Sequence, residues 1–235
     1  MIVAANLKTN LTRTETAEYL NELESFLVAN AISQDVFVFP ATSSLDTHKG
    51  QVTVGAQNSY PAKSGAFTGE IGLEHLEEFG IQTILIGHSE RRHILGETQA
   101  FIAQKFNYFK ELGFKIVYCV GEPLEVREAG EDVMMQYLEV QYEGIDTNYE
   151  NLIIAYEPVW AIGTGLTPTM EEISSLHMRL KEKSEKPLLY GGSVKVENAK
   201  DVFALDGVDG VLVGSAALKV DDFCKMISFA QEINK

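Results

Sequence analysis

The sequence predicts an α/β protein that folds as a single-domain (β/α)8 barrel over residues 1–235. Short apolar runs alternate with longer segments of helical period along the whole chain. The runs are continuously apolar rather than alternating, which is typical of parallel strands buried on both faces. A doubly wound open sheet is the alternative fold, but the G-x-G-x-x-G turn that usually follows its first strand is absent from AANLKTN.

Eight strands are predicted, and the helical segments between them place apolar residues at i, i+3, i+4 and i+7. No Ser/Gly-rich, Pro-rich or charged tract interrupts this order, so the sequence indicates one domain. The predicted strands are IVAAN (2–6), DVFVF (35–39), VTVGAQ (52–57), TILIG (83–87), KIVYCVG (115–121), LIIAY (152–156), LLYG (188–191) and GVLVG (210–214).

Charge and hydropathy exclude several classes of partner. The formal net charge is −15, which argues against nucleic acid or an anionic membrane as a ligand. No apolar run approaches the ~18 residues of a membrane span, and MIVAANLKTN does not resemble a signal peptide. Cys119 and Cys224 lack metal-ligand spacing and suit reduced, buried thiols. We therefore predict a cytoplasmic protein.

Polar residues follow most of the predicted strands. In a (β/α)8 barrel the carboxyl ends of all strands lie on one rim, where the chemistry of such proteins is located. We expect the polar strand ends to meet there. They are Asn6 and Lys8 after the first strand, GHSERR (87–92) after the fourth, Gly121-Glu122 after the fifth, Glu157 after the sixth, YGGSV (190–194) after the seventh and VGSAAL (213–218) after the eighth.

The Gly/Ser turns after the seventh and eighth strands predict a phosphate site. Their glycines let backbone N–H groups approach an anion closely, and a following helix N-terminus adds its dipole. Such a site binds an anion without net positive charge, which fits an acidic protein. The alternative is that strand-to-helix turns need glycine for their backbone conformation alone.

His88, Lys8 and Asn6 are candidates for contacts with a substrate oxygen. A neutral imidazole can donate to a carbonyl oxygen, and a helix beginning at Ser89 disfavours its charged form. The alternatives are a structural histidine and a solvated lysine. We assign structural roles to the remaining histidines, and carboxylate partners to Arg91 and Arg92.

Glu157 is the candidate base. Partial desolvation would raise its basicity, and the loop 158–165 can supply it. Pro158 stiffens the near end of the loop, Trp160 and Ile162 can cover the site, and two glycines free the far end. An ordinary surface loop is the alternative interpretation.

The motifs together resemble those of the triosephosphate isomerase family, from residue 6 to residue 218, in the family's order and at about its spacing. The matching segments are N-x-K (6–8), GAFTGE (65–70), GHSERR (87–92), CVGE (119–122), AYEPVWAIGTG (155–165), YGGSV (190–194) and VLVGSAAL (211–218). The resemblance implies a TIM barrel that interconverts dihydroxyacetone phosphate and D-glyceraldehyde 3-phosphate, in glycolysis and gluconeogenesis, without a metal ion or an organic cofactor.

The resemblance also implies a role for each matched residue. Glu157 transfers a proton between neighbouring carbons, and neutral His88 polarises the carbonyl as the electrophile. Lys8 stabilises the enediolate charge, Asn6 positions the substrate, and Glu90 supports the site.

Four residues are implied as phosphate ligands: Gly163, Ser193, Gly214 and Ser215, with Gly163 acting only after the loop closes. Two departures stand out, because the family often has Trp where this chain has Leu7, and Gly where it has Ser215. A non-proline residue still offers its backbone N–H, so the phosphate site stays plausible.

The segment 57–70 shows no helical or strand period and is long for a connection in a compact domain. The resemblance implies that it inserts into a second subunit, with Thr68 near the partner's Asn6, and hence a homodimer. Two other functions stay open: a different phosphate-binding barrel, such as a sugar-phosphate epimerase, and a catalytically idle barrel that binds a metabolite or a partner.

Overall fold

Eight parallel strands form one sheet in the computed structural model, which describes residues 1–162 and 166–233. Seven of the eight strands agree with the prediction to within one residue at either end. The strands are β1 (Ile2–Asn6), β2 (Asp35–Phe39), β3 (Thr53–Val54), β4 (Thr83–Ile86), β5 (Lys115–Val120), β6 (Leu152–Tyr156), β7 (Leu188–Tyr190) and β8 (Gly210–Val213).

The sheet closes into a barrel between β3 and β4. Its strand order is β3-β2-β1-β8-β7-β6-β5-β4, and a parallel bridge joins Ala56 to Ile84 across the remaining gap. Ala56 N–H donates to the Thr83 carbonyl at 2.9 Å, and Leu85 N–H donates to the Ala56 carbonyl at 2.8 Å. These contacts confirm the (β/α)8 barrel.

The third strand is shorter than predicted, since regular pairing covers only Thr53–Val54 rather than residues 52–57. The chain changes partner at this point. Gly55 N–H still donates to the Val38 carbonyl of β2 at 2.9 Å, whereas Ala56 already pairs with β4. The apolar pattern cannot report this change, because both neighbours bury the same side chains.

Nine α-helices lie in the described residues, and they cover the outside of the barrel. The two that begin with Thr12 and Thr169 as N-caps have reciprocal capping boxes with Glu15 and Glu172. The helices are α1 (Arg13–Ala29), α2 (Leu73–Glu78), α3 (Ser89–His93), α4 (Gln99–Glu111), α5 (Leu124–Glu128), α6 (Glu131–Val140), α7 (Met170–Lys181), α8 (Val196–Phe203) and α9 (Val220–Ile233).

The core has two layers, because successive strand residues point to opposite faces. One layer fills the barrel and includes Ile153 and Ala155 of β6; the other lies between strands and helices and includes Ile154 and Tyr156. Continuing the alternation by one residue directs Glu157 inward at the rim. The position of the candidate base therefore follows from the strand period.

The loop 57–70 contains no helix and no strand, as predicted. Of the helices within residues 1–162 and 166–233, none combines the length and apolar character that crossing a membrane requires.

Candidate active site

A cavity of about 240 Å³ opens at the rim formed by the carboxyl ends of the strands. Seven of the nine predicted site residues line it, although they come from five separate parts of the chain. Glu90 does not line this cavity but contacts Lys8, which does. Gly163 is outside the described residues. The lining residues are Asn6, Lys8, His88, Glu157, Ile162, Gly191, Gly192, Ser193, Val194, Leu212, Gly214 and Ser215.

Glu157 and His88 contact each other at the wall of this cavity. Oε1 of Glu157 lies 2.9 Å from Nε2 of His88, and only 2% of Glu157 is exposed. The second carboxylate oxygen, Oε2, accepts a hydrogen bond from Ser89 N–H at 2.9 Å. Sequence reasoning missed this backbone donor, which the first residue of α3 supplies to the base.

The proton state of His88 depends on two opposed influences. Burial lowers the pKa of His88, but the adjacent Glu157 carboxylate, with a further contribution from Glu90, more than offsets it, so the pKa lies above its usual 6.5. On the other side of the ring, Glu90 N–H donates to Nδ1 at 3.3 Å. This bond needs the lone pair of Nδ1, and it favours the neutral ring with its proton on Nε2.

The basicity of Glu157 differs from the expectation that desolvation would dominate. Burial does raise the pKa of Glu157, but His88, the Ser89 N–H and the Lys8 ammonium together outweigh it, and the net pKa is lowered. The carboxylate is thus stabilised by the groups it touches. Separating it from His88 removes the largest of these stabilising contacts.

Lys8 is held in a strained conformation. Its φ is +51°, which is uncommon for a residue with a Cβ. Its N–H donates to Asn6 Oδ1 at 3.0 Å, and its Nζ donates to Glu90 Oε1 at 2.6 Å. The Gln57 amide donates to the Lys8 carbonyl at 2.8 Å and to the Phe39 carbonyl at 2.9 Å. Sequence reasoning missed Gln57, since no motif signals a side chain that holds a backbone carbonyl.

Both Gly/Ser turns line the cavity together with Lys8. A Cβ placed on Gly214 would lie 3.4 Å from Cε and 3.8 Å from Nζ of Lys8, so the ammonium approaches this turn. Ser215 opens a short 3-10 helix, Ser215–Leu218. The Ser193 hydroxyl donates to the Ala161 carbonyl at 2.7 Å, which ties the strand-7 turn to the start of the loop after β6.

Most of the side chains assigned structural roles have internal partners, with one correction. His48 contacts Glu24 at 2.8 Å, and Arg91 donates to Glu97 at 2.6 Å, as expected. The prediction of a carboxylate partner for Arg92 is wrong. Arg92 donates instead to neutral oxygens, among them the Gly87 carbonyl at 2.7 Å and the Tyr118 hydroxyl at 2.9 Å.

Residues 1–162 and 166–233 contain no group of three or more His, Cys, Asp or Glu side chains arranged to hold a metal ion. The prediction that no metal and no cofactor takes part stays a prediction.

Fold and site together define a class: a (β/α)8 barrel whose rim combines a buried carboxylate–imidazole pair, a lysine and two Gly/Ser turns. The sequence profile of triosephosphate isomerase matches residues 1–230. The chain is 68% identical over 235 residues to the triosephosphate isomerase of Sulfurimonas denitrificans, covering 100% of this chain and 98% of the relative.

Two further relatives of the same name agree with this assignment. A Sulfurovum protein is 59% identical over 227 residues, covering 97% and 99% of the two chains, and one from Wolinella succinogenes is 56% identical over 229 residues, covering 97% and 99%. The chain belongs to the triosephosphate isomerase family.

Proposed function

We propose that the protein interconverts D-glyceraldehyde 3-phosphate and dihydroxyacetone phosphate through an enediolate, in glycolysis and gluconeogenesis, without a metal ion or cofactor. The observation that carries this proposal is the 2.9 Å contact between Glu157 Oε1 and His88 Nε2 at a cavity also lined by Lys8. A base, a hydrogen-bond donor and a cation around one small space suit proton transfer next to a carbonyl.

In this mechanism Glu157 takes a proton from the carbon beside the carbonyl and returns it to the neighbouring carbon. A substrate that enters between Glu157 and His88 removes the imidazole from the carboxylate. Because His88 lowers the pKa of Glu157, its replacement by substrate makes the carboxylate more basic. Substrate binding thus raises the basicity of Glu157 before the proton transfer.

His88 acts as the neutral electrophile. The Glu157 carboxylate contributes most to raising the pKa of His88, so separating the two groups favours the uncharged ring. The ring then donates from Nε2 to the carbonyl oxygen, while the Glu90 N–H keeps Nδ1 unprotonated. Lys8 faces the negative charge that develops on the enediolate oxygens, Asn6 positions the substrate, and Glu90 supports the site by holding Lys8 Nζ at 2.6 Å.

We assign the phosphate to the Gly/Ser turns, with Ser193, Gly214 and Ser215 as ligands and Gly163 as a further ligand after the loop closes. The approach of Lys8 Nζ to Gly214 supports this assignment, because one ammonium can then serve both the phosphate and the reacting oxygens. Closure of the loop 158–165 over the site would keep water from an enediolate that otherwise eliminates phosphate.

We further propose a homodimer in which the loop 57–70 of each subunit inserts into the other, with Thr68 near the partner's Asn6. A second cavity, of about 540 Å³, supports this arrangement because Asn6, Lys8 and Glu90 line it. Ile94 and Leu95 at its edge are 76% and 62% exposed, an apolar surface suited to burial. We also propose that residues 1–235 form a single domain and that the protein is cytoplasmic.

A coupled assay on D-glyceraldehyde 3-phosphate tests the activity. We expect the wild-type protein to form dihydroxyacetone phosphate without added metal and in the presence of a chelator. Glu157→Asp retains the charge but withdraws the carboxylate, so turnover should fall by about 10²-fold or more while the circular dichroism spectrum is unchanged. Unchanged turnover of this variant would defeat the assignment of the base.

A further inference from the structure

Arg127, in α5, contacts residues near both ends of the loop between β6 and α7. We propose that Arg127 is a positioning residue that fastens the two ends of this loop, and so sets how Glu157 and Ser193 are presented to the substrate. This inference rests on the proposed function, since it concerns the same site.

On the strand side, Arg127 contacts Trp160. The guanidinium carbon Cζ lies 5.4 Å from the centroid of the indole ring, within the range of a cation–π interaction. The edge of the same indole is held by Glu122, whose Oε1 accepts from Trp160 Nε1 at 2.9 Å. Glu122 is completely buried and also accepts from the Tyr156 hydroxyl at 3.0 Å. Two side chains from one short stretch therefore fix the indole by its face and its edge.

On the helix side, Arg127 contacts Glu172 in the first turn of α7. Arg127 Nη2 donates to Glu172 Oε1 at 2.7 Å. The other oxygen, Oε2, accepts from Thr169 N–H at 2.8 Å and completes the capping box that begins α7. The carboxylate is thus shared between the helix cap and Arg127, and the start of α7 is tied to the residue that packs on Trp160.

The strand-side contact continues into the active site. Trp160 precedes Ala161, whose carbonyl accepts from the Ser193 hydroxyl at 2.7 Å, and it lies three residues after Glu157. A shift of the indole would therefore move the acceptor of Ser193 and the backbone that carries the base. Arg127 itself lines none of the substrate cavity, so it acts through these residues.

The ion pair alone does not explain such a role, because its side chains are 25% and 45% exposed, and a pair this open contributes little to stability. The planar guanidinium, however, can stack on an indole and donate to a carboxylate at once. A lysine ammonium can contact a ring or a carboxylate, but as a single point charge it cannot stack on the indole and donate to Glu172 at the same time. Arg127→Lys should consequently behave like the loss of the indole contact.

The experiment compares Arg127→Met and Arg127→Lys with the control Arg179→Met, in the full-length protein. Arg179 of α7 pairs with Glu131 of α6 on the same side of the barrel, and it contacts neither Trp160 nor Glu172 in the described residues. Trp160 is the only tryptophan in the sequence, so its fluorescence reports on this position alone. Three quantities are measured: acrylamide quenching of Trp160, kcat/KM, and the fraction of turnovers that release inorganic phosphate instead of isomerised product.

We expect both Arg127 variants to raise the quenching constant by about twofold, to lower kcat/KM by about threefold to tenfold and to raise the phosphate-releasing fraction severalfold. Arg179→Met should match the wild type in all three measurements. If Arg127→Met and Arg179→Met give equal quenching and equal product partition, Arg127 is a surface residue and the inference is wrong. The quenching arm does not depend on activity, so an inactive wild type would refute the proposed function alone.

Discussion

Two buried pairs of a carboxylate and a basic side chain lie in the described part of this barrel, and they differ in what surrounds them. Glu157 and His88 meet at the wall of the substrate cavity. Glu97 and Lys105 meet outside the barrel, where Glu97 Oε1 also accepts from Arg91 at 2.6 Å. The side chains of Glu97 and Lys105 are 6% and 1% exposed, so both pairs are equally withdrawn from water.

The two pairs differ in whether a ligand can reach them. Lys105 also donates to Asn58 Oδ1 at 2.6 Å and lies 4.7 Å from the centroid of the Phe101 ring. Protein groups therefore hold it on several sides, as a buried charge requires. The Glu157–His88 contact instead borders an open cavity, so a small polar molecule can take the place of either partner. Burial of an ion pair does not indicate catalysis, whereas access to the pair does.

The largest effect should follow from replacing the imidazole of the open pair. His88→Gln keeps a hydrogen-bond donor but loses the imidazole that we propose as the donor to the substrate carbonyl. We expect kcat to fall by roughly 10²- to 10⁴-fold. Urea denaturation should give an unfolding free energy within about 1 kcal/mol of the wild type, since the site borders a cavity. A large loss of stability with turnover retained would reverse the contrast between the two pairs.

The closed pair should show the opposite behaviour. Lys105→Met leaves the buried Glu97 carboxylate with one cation fewer, and we expect the free energy of unfolding to fall by about 3–5 kcal/mol. The kcat of the folded fraction should stay within about threefold of the wild type. The matched double variant, Lys105→Met with Glu97→Leu, removes the orphaned charge and should recover part of the stability. Urea titrations of all three proteins measure this. A double variant no more stable than Lys105→Met would contradict the account.

A third buried group, His177 of α7, sharpens the comparison because it has no charged partner at hydrogen-bond distance in the described residues. Burial lowers the pKa of His177 from 6.5 to about 4, and its Nδ1 contacts the Gly207 carbonyl at 3.2 Å. At pH values between about 4 and 6.5, His177 is protonated in the unfolded chain but neutral in the folded chain. The folded state therefore loses stability as the pH falls from 6.5 to about 4, by about 3 kcal/mol in total.

His177→Leu should remove this part of the acid destabilisation. Unfolding free energies measured between pH 7 and pH 4 should fall less steeply than in the wild type, and His75→Gln, at an exposed position, serves as the control. Parallel pH profiles for His177→Leu and the wild type would show that His177 does not titrate on unfolding as described.

The smallest effect is expected at the phosphate side of the cavity. Ser193→Ala removes one hydroxyl that we assign to the phosphate, and a hydrogen bond to a charged group accounts for about a tenfold change in KM. Its kcat should change less. Ser25→Ala, whose hydroxyl donates to the Asn21 carbonyl on the exposed side of α1, should change neither constant. Steady-state kinetics in which Ser193→Ala leaves KM unchanged would exclude the assignment.

Much of this arrangement could be predicted from the sequence. The strands were predictable because parallel strands buried on both faces form continuous apolar runs, and β1, β2 and β6 have the predicted bounds. The rim residues were predictable because they directly follow those strands. The shortened β3 was not, since Gly55 and Ala56 exchange one neighbouring strand for another without any change in burial pattern.

The contacts that tune the site were not predictable in the same way. The Ser89 N–H that binds Glu157 is a backbone group 68 residues away in the chain, and every residue but proline offers one. The Gln57 amide and the positive φ of Lys8 depend on how two loops pack against each other. The pKa of Glu157 likewise depends on distances across the barrel, and for this reason the expectation from burial alone was incomplete.

The most direct test of the central claim is a crystal structure with a two-carbon phosphorylated carboxylate, whose shape resembles the enediolate. We predict its phosphate on Ser193, Gly214 and Ser215, and its carboxylate between Glu157 and His88, with these two side chains no longer in contact. A ligand bound elsewhere, or one bound while the 2.9 Å contact of Glu157 with His88 persists, would contradict the account.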